Sequence, residues 1–525
     1  MSTPTRSLSF RRRLIASVYA ATAATVATVP LDAQIIQIKT LPVADGEQWR
    51  FFPSSNLGLG GVSIALPDSL LDPFVNPANG ARLSERGRGL FFGSPTFYSV
   101  SKNAGGGRTL PLGGILRRGS TFGGVAVAIQ EIDGIPQQNQ LFLQVVDPAS
   151  NSIVAPAQTP TTPGSRQNKF AFATIGHLFQ SKGISVGASA LWSGLRDVDG
   201  VDLLYAGSQS IDQYGGAFNA RLGLLKQWSS GRSLEGILVH DRFGMTHDVT
   251  WVDPVWDPNT RRAVGLARTD HNLDKTNIWG LHLAYSQPFA DSGWRAGAIV
   301  TSNLMSHPKL PEFQIAQVMT IPWDPGHSAA YDLGVGVAKV KGNTTFGIDA
   351  IFEPIRTHTW GEAPNAIVTD FGTVPAGGKT TENWFRFSNA ILRTGVARDI
   401  PLDTFRVAVK AIRFELGLAM RSIGYTMNQT NHVSRVDRSQ REAWLEWTRS
   451  WGWGMRFSDL DLRYVGRMTT GTGRPGVIPD GGSVFPPASD LTSAGRNFLS
   501  APNGATTLTQ VAVTTHQISV SVPIR

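Results

Sequence analysis

Apolar and polar residues alternate one by one along much of this 525-residue chain. Between Ile184 and Trp192 the even positions are Ile, Val, Ala, Ala and Trp, while the odd positions are mostly Gly and Ser. Phe218, Ala220, Leu222 and Leu224 stand against Asn219, Arg221 and Gly223, and Phe346, Ile348, Ala350 and Phe352 against Gly347, Asp349 and Glu353. Side chains of a strand point to opposite faces with period two, so one face is apolar and the other small or polar. These segments run about 10 to 13 residues, whereas strands of soluble proteins usually run 5 or 6 and membrane-barrel spans need 9 to 11. The pattern predicts strands near 168–180, 183–193, 215–228, 233–243, 276–287, 293–304, 330–340, 344–354, 384–397, 404–420, 441–456, 459–468 and 511–524.

Their connections alternate. Short links such as Ser181-Lys182 and Lys341-Gly342-Asn343 take turns with long ones at 194–214, 244–275, 305–329, 355–383, 421–440 and 469–510. Short turns on one rim and long loops on the other are the plan of an outer-membrane barrel, whose single-chain bacterial forms carry an even number of strands. Adding 120–131 gives fourteen, and adding also 89–100 and Gln140 to Val146 gives sixteen. The fold predicted is all-β, a transmembrane antiparallel β-barrel of fourteen or sixteen strands. Trp192, Trp228, Trp279, Trp294 and Trp384 fall at or near strand ends, where aromatic girdles sit. The apolar phase flips between Ala411 and Ile412, which predicts a bulge or kink there.

Composition agrees. Charged residues are 17% of the chain, Gly is 56 of 525, and hydrophobic residues are 41%, a low figure that a barrel tolerates because only alternate residues face lipid. The absence of Cys removes disulfide scaffolds, thiolate metal sites and cysteine nucleophiles. Arg6 and Arg11 to Arg13 precede an uncharged, Ala-rich stretch from Leu14 to Leu31, then Asp32-Ala33. This order predicts a secretory signal peptide over 1–33. Its removal takes away four Arg and one Asp and lowers the formal charge from +9 to +6. That charge is spread along the chain, so no nucleic-acid footprint is expected.

Residues 54–83 carry a resemblance. The stretch from Ser54 through Gly58, Gly60, Gly61, Ala65 and Asp68 to Asn76-Pro77-Ala78 and Leu83 resembles the mature start of the long-chain fatty-acid transporter family of outer-membrane barrels. A shuttle-type barrel of the type IX secretion system has a similar opening. The resemblance implies a fourteen-stranded barrel with an N-terminal luminal plug, passive uptake of hydrophobic compounds, and a sideways exit through the wall. A hatch over residues 34–88, with Gly58, Gly60, Gly61, Asn76, Pro77 and Ala78 as its motif, would precede a barrel over 89–525. Glycines permit the tight turns such a buried loop needs, and prolines remove donors that it would have to satisfy.

The expected location is the bacterial outer membrane, with membrane lipid, hydrophobic small molecules and the barrel assembly machinery as partners. The chain ends Val522-Pro523-Ile524-Arg525, without the aromatic residue on which such barrels commonly finish. Trp251, Trp256, Phe313 and Trp323 lie in predicted long loops and are candidate ligand-binding residues. Long loops also fit a second reading, a secretion-associated or interaction barrel that binds a protein partner. No catalytic residue, metal or cofactor is assigned. His240-Asp241 and His247-Asp248 are sequence neighbours that a strand would point to opposite faces, no G-x-S-x-G or H-E-x-x-H element occurs, and Asp197, Asp199 and Asp202 lack the spacing of a calcium loop.

Overall fold

The computed structural model describes residues 35–40, 48–85, 89–102, 105–133, 145–146, 153–154, 165–199, 210–257, 259–260, 262–289, 292–306, 326–363, 365–402, 409–474 and 509–524. The expected signal peptide, Phe313, Trp323, Asp202 and most of 469–510 lie outside them. Sixteen strand positions close into a ring of antiparallel neighbours. The first, β1, is Gly89–Gly93 continued after Ser94-Pro95 by Thr96–Val100. Then come β2 Gly106–Arg118, β3 Thr121–Asp133, β4 Ser165–Phe179, β5 Ile184–Leu195, β6 Ser210–Gln227, β7 Ser233–Asp257 and β8 Arg262–Pro288. The second half is β9 Trp294–Ser306, β10 Gly326–Lys341, β11 Thr344–Glu362, β12 Lys379–Pro401, β13 Ala411–Asn431, β14 Val436–Arg456, β15 Asp461–Arg474 and β16 Thr509–Ile524. Both halves of β1 pair with β16 on one side and β2 on the other, so the sheet has no edge. Closure is required in hydrocarbon, where an unpaired backbone group finds no water.

Alternation sets the two faces. Outward residues such as Val125, Ile175, Val335 and Leu416 are more than 60% exposed, while their strand neighbours are buried or half-buried toward the inside. Exposed aromatics bracket this apolar belt: Phe218 and Trp228 on β6 and its turn, Trp279 and Phe289 on β8 and its turn. Each pair is ten residues apart. At ~3.3 Å per residue and a tilt of ~40°, that spans about 25 Å, the height of an outer-membrane apolar band. Soluble proteins do not expose a continuous belt of this size, so the chain is a transmembrane barrel of the bacterial outer-membrane kind.

Four expectations change. The sixteenth strand is 106–118, not the Gln140 to Val146 segment, of which only Val145–Val146 is described; it pairs with Ile153–Val154 in a separate two-stranded sheet that touches β7. Leu110, Leu112 and Leu116 of that strand face outward, a period-two signal interrupted by Pro111 and a Gly pair. The supposed loops at 244–275, 355–383 and 421–440 are largely strand, because β7 and β8 run 25 and 27 residues and β11 to β14 overrun the belt as well. Trp251 and Trp256 therefore have their backbone in β7, and their side chains lie outside the described residues. Finally, β13 begins at Ala411 and keeps one register with β14 throughout, so the phase change at 411/412 marks a strand start rather than a kink. Register shifts occur instead at Gly361/Glu362 and between Thr469 and Thr472.

A charge placed on the belt reads out the face assignment. Val335→Arg is expected to cost about 2–4 kcal/mol of membrane stability, measured by urea titration in vesicles with heat-modifiable gel mobility as the folding signal. Val335→Leu should be neutral in the same titration.

Candidate functional site

The chain N-terminal to the barrel lies against the inner wall, and glycines of inward parity let it do so at backbone distance. A Cβ added to Gly395 of β12 would fall 2.3 Å from the Leu59 carbonyl, and one on Gly417 of β13 would fall 2.0 Å from the Gly60 amide. Gly347 of β11 meets Val62, Gly336 of β10 and Gly297 of β9 meet Ile64, Gly223 of β6 meets Asn76, and Gly187 of β5 meets Pro77. Residues 59–78 thus sweep around the lumen in wall order, each contact occupying a place where only glycine fits.

Polar wall residues satisfy the segment's backbone. Ser450 of β14 donates to the Gly58 carbonyl and accepts from the Gly60 amide, at 3.1 and 3.0 Å. Asp349 of β11 accepts from the Ser63 and Ile64 amides at 2.7 and 3.2 Å, and Arg393 of β12 donates to the Gly61 carbonyl. Arg221 of β6 donates to the Val75 carbonyl and Ser185 of β5 to that of Ala78. The backbone of Ile36, Gln37 and Thr40 is held in the same way by Asn303, Arg421 and Tyr425, and the Lys39 side chain pairs with Glu446. Buried loop backbone needs these partners, and bonds to charged groups are worth about 1.5–3 kcal/mol each.

Within the segment, Asp68 folds the loop on itself. Its carboxylate accepts from the Ser54 and Ser55 hydroxyls and from the amides of Ser55, Asn56, Leu70 and Leu71. Leu57–Leu59 form a 3₁₀ turn closed by Gly60 in the left-handed region, with Gly61 also at positive φ. Asp72–Val75 make a single helical turn, α1. Asn76 then accepts from the Ala78 amide and, with Asn79 and Arg82, converges on Glu235 of β7. All six predicted motif residues, Gly58, Gly60, Gly61, Asn76, Pro77 and Ala78, are in this segment, and the wall residues that hold the segment, Ser450, Asp349, Arg393 and Glu235, were missed. Their signal was available as polar residues of inward parity at belt height.

Two voids lie near the segment, the first lined by it. This one, of about 170 Å³, lies between segment and wall, and Asp68, Asp72, Glu235, Asp332, Arg393 and Arg421 line it together with aliphatic side chains that include Ile36, Ile64, Leu71, Ile299 and Ile351. Asp72 keeps a quarter of its side-chain surface open to this cavity but is enclosed by the barrel. Burial first, then the charges of Asp68 and Glu235, hold its carboxyl well above the ordinary carboxylate range, against the pull of Arg82.

The other void, of about 440 Å³, cuts into the wall itself. Gly194 of β5, Gly216 of β6 and Gly244 of β7 stand side by side in register. The outward Trp192, Tyr214 and Phe218 line the cleft together with the inward Ala217, Phe243 and Met245. Met245 belongs to an inner apolar cluster with Phe51, Phe52, Phe74, Phe92, Phe170 and Phe172, against which Ala217 and Phe243 also pack. Phe52 stacks on Phe74 at 4.3 Å, and Phe51 sits 4.2 Å from Phe170. Arg242, Thr246, Asp274 and Lys275 also face the cleft, so its lining is mixed, and its inward apolar members Ala217, Phe243 and Met245 adjoin rings contributed by the N-terminal segment.

The His-Asp neighbours considered for chemistry face different partners. His240 stacks on Trp279 and contacts Asn277, while Asp241 points inward to Asn219. Asp248 pairs across strands with His271 rather than with its neighbour His247. Asp197 accepts from Gln213, and the Asp199 amide donates to Gln48. Among the described residues no group of three His, Asp or Glu is placed to hold a metal ion.

Gly395→Val should overpack the Leu59 contact by about 1–3 kcal/mol and free the segment, read as faster protease cleavage within 48–85 while heat-modifiable mobility persists. For Asp72 the sign follows from its raised folded pKa: its ionised form opposes the folded state once pH exceeds the unfolded value near 4. Asp72→Asn should accordingly slow that cleavage at pH 8 and leave it unchanged below pH 4.

No known protein family matches this chain, and no curated protein matches it in sequence. Among solved structures it is similar to the Pseudomonas putida toluene transporter TodX, at 10% identity over 92% of this chain and 99% of that one, with a TM-score of 0.37. A Pseudomonas aeruginosa FadL homologue is similar at 10% identity, over 93% and 100% of the two chains, with a TM-score of 0.39. A bacterial polysaccharide outer membrane secretin is similar at 5% identity, over 84% and 99%, with a TM-score of 0.36.

Proposed function

We propose that the protein is an outer-membrane channel for the passive uptake of hydrophobic compounds such as long-chain fatty acids, with residues 34–88 as a luminal hatch behind a signal peptide over 1–33. The observation that carries this reading is the wall cleft, where the outward Trp192 and Phe218 share one void with Ala217, Phe243 and Met245 of the inner aromatic cluster, beside Arg242, Asp274 and Lys275. An apolar compound gains roughly 25 cal/mol for each Å² it removes from water. The wall cleft beside the inner rings offers such a compound a way out of the lumen. Trp251, Trp256, Phe313 and Trp323 are the residues that would first gather the compound outside. The long hairpin of β7 and β8 extends more than a dozen residues past the length a span requires, which favours a protein-binding role as the second reading.

Gly244 separates the two. A Cβ there meets nothing nearer than 4.0 Å, so Gly244→Leu can fill the cleft without displacing the backbone. Cells making the protein should take up labelled long-chain fatty acid faster than cells without it, and Gly244→Leu should lower the increment several-fold at equal membrane abundance. Uptake that is equal with and without the protein would refute transport and leave the interaction reading.

A further inference from the structure

On the outer face, at the long-loop rim, Arg356 of β11 stands directly opposite Arg386 of β12. Arg386 is opposite Thr426 of β13, and Thr426 is opposite Arg441 of β14. All three arginines are exposed. They have no ion pair or side-chain hydrogen bond among the described residues. Like charges directly across a sheet destabilise the pairing. Nothing in the fold requires the juxtaposition, since the row faces away from the lumen.

Two further features surround the row. Toward the belt lie small side chains, Pro354 opposite Ser388 and Gly424 opposite Ala443, above the exposed Leu416 and Leu445. Nothing approaches the outer side of Gly424 more closely than 3.7 Å, so the surface there is a shallow trough. On the opposite side of the row, His358 and Trp384 stack at 3.6 Å with Trp384 half exposed, marking the interface. The order from water to lipid is therefore aromatic stack, cations, trough, aliphatic belt.

We propose that this face binds a phosphorylated, multiply acylated glycolipid of the outer leaflet. One phosphate sits between Arg356 and Arg386, a second reaches Arg441, and acyl chains lie in the trough over Gly424 and Ala443. Cross-strand Cβ atoms ~5 Å apart let two guanidiniums share one phosphate, and their planar forks suit its oxygens. Three strand intervals of ~4.8 Å place Arg356 and Arg441 about 14 Å apart, wider than one phosphodiester headgroup and suited to a sugar scaffold with a phosphate at each end. The bound anion removes the like-charge repulsion that the bare sheet carries. This site is on a different part of the wall from the β5–β7 cleft and does not depend on the transport reading.

Binding is measured on the purified barrel in non-ionic detergent by native mass spectrometry. The ligands are a bis-phosphorylated, acylated glucosamine disaccharide, phosphatidylcholine, and inorganic phosphate. The glycolipid should bind in preference to both others. Loss of a charge-assisted bond should weaken it about tenfold in Arg441→Gln and about 100-fold in the double variant Arg356→Gln/Arg386→Gln. Arg386→Glu creates a cross-strand ion pair with Arg356, so it should keep heat-modifiable folding and still lose the glycolipid, whereas Arg232→Gln at the opposite rim should bind like the parent. Equal glycolipid affinity in the parent and Arg386→Glu would overturn the proposal. So would inorganic phosphate binding as tightly as the glycolipid, which would mean a simple anion site.

Discussion

Backbone groups in hydrocarbon must pair within the protein, so this sheet has to close, and closing it at sixteen strands leaves a lumen too wide for wall side chains to fill. The rest of the structure answers that width. The N-terminal segment enters the space as loop and single turns, not as a strand, because Asn56, Pro67, Pro73 and Pro77 interrupt any regular run and Asp68 gathers its free amides. Wall strands in turn surrender side chains at Gly187, Gly223, Gly395 and Gly417, where segment backbone comes within contact of strand backbone, and at Gly347, which receives the Val62 side chain. The polar residues between those glycines, Asp349, Arg393 and Ser450, supply partners that the strands themselves do not need.

This filling is uneven, and the unevenness carries the functional argument. On the β9 to β14 side the segment is held by hydrogen bonds and charge together with small aliphatic clusters such as Ile64 with Ile351 and Ile391, and the acidic and basic residues of the luminal cavity lie beside it. On the β1 to β7 side it contributes Phe51, Phe52 and Phe74 to a cluster of rings. On that aromatic side three outward glycines stand in register in β5 to β7, beside the wall cleft. A hydrophobic compound would thus meet aromatic surface on the side of the lumen where the cleft lies.

Period-two alternation made most of this legible. Ile184 to Trp192 and Phe346 to Phe352 faced lipid as their parity required, and the short turns fell where Gly and Ser broke the pattern. Two things hid the rest. Strand β2 is broken in sequence by Leu110-Pro111-Leu112-Gly113-Gly114, so its outward leucines did not register as a span. Beyond the belt both faces of β7, β8 and β12 to β14 meet polar surroundings, so alternation fades although the ladder continues, and those extensions read as loop. Within the candidate site, Gly58 to Ala78 stood out in sequence. The wall cleft did not, because Gly194, Gly216 and Gly244 are distant in the chain and become neighbours only through strand register.

The central claim is a route through the wall cleft between lipid face and inner cluster. Photo-crosslinking with a diazirine-bearing long-chain fatty acid, followed by peptide mapping, tests it most directly. The account predicts label on both sides of the wall at one place, on Trp192 or Phe218 outside and on Phe243, Met245 or Phe74 inside. Label confined to the outward aliphatic belt, with none on the inner rings, would contradict it.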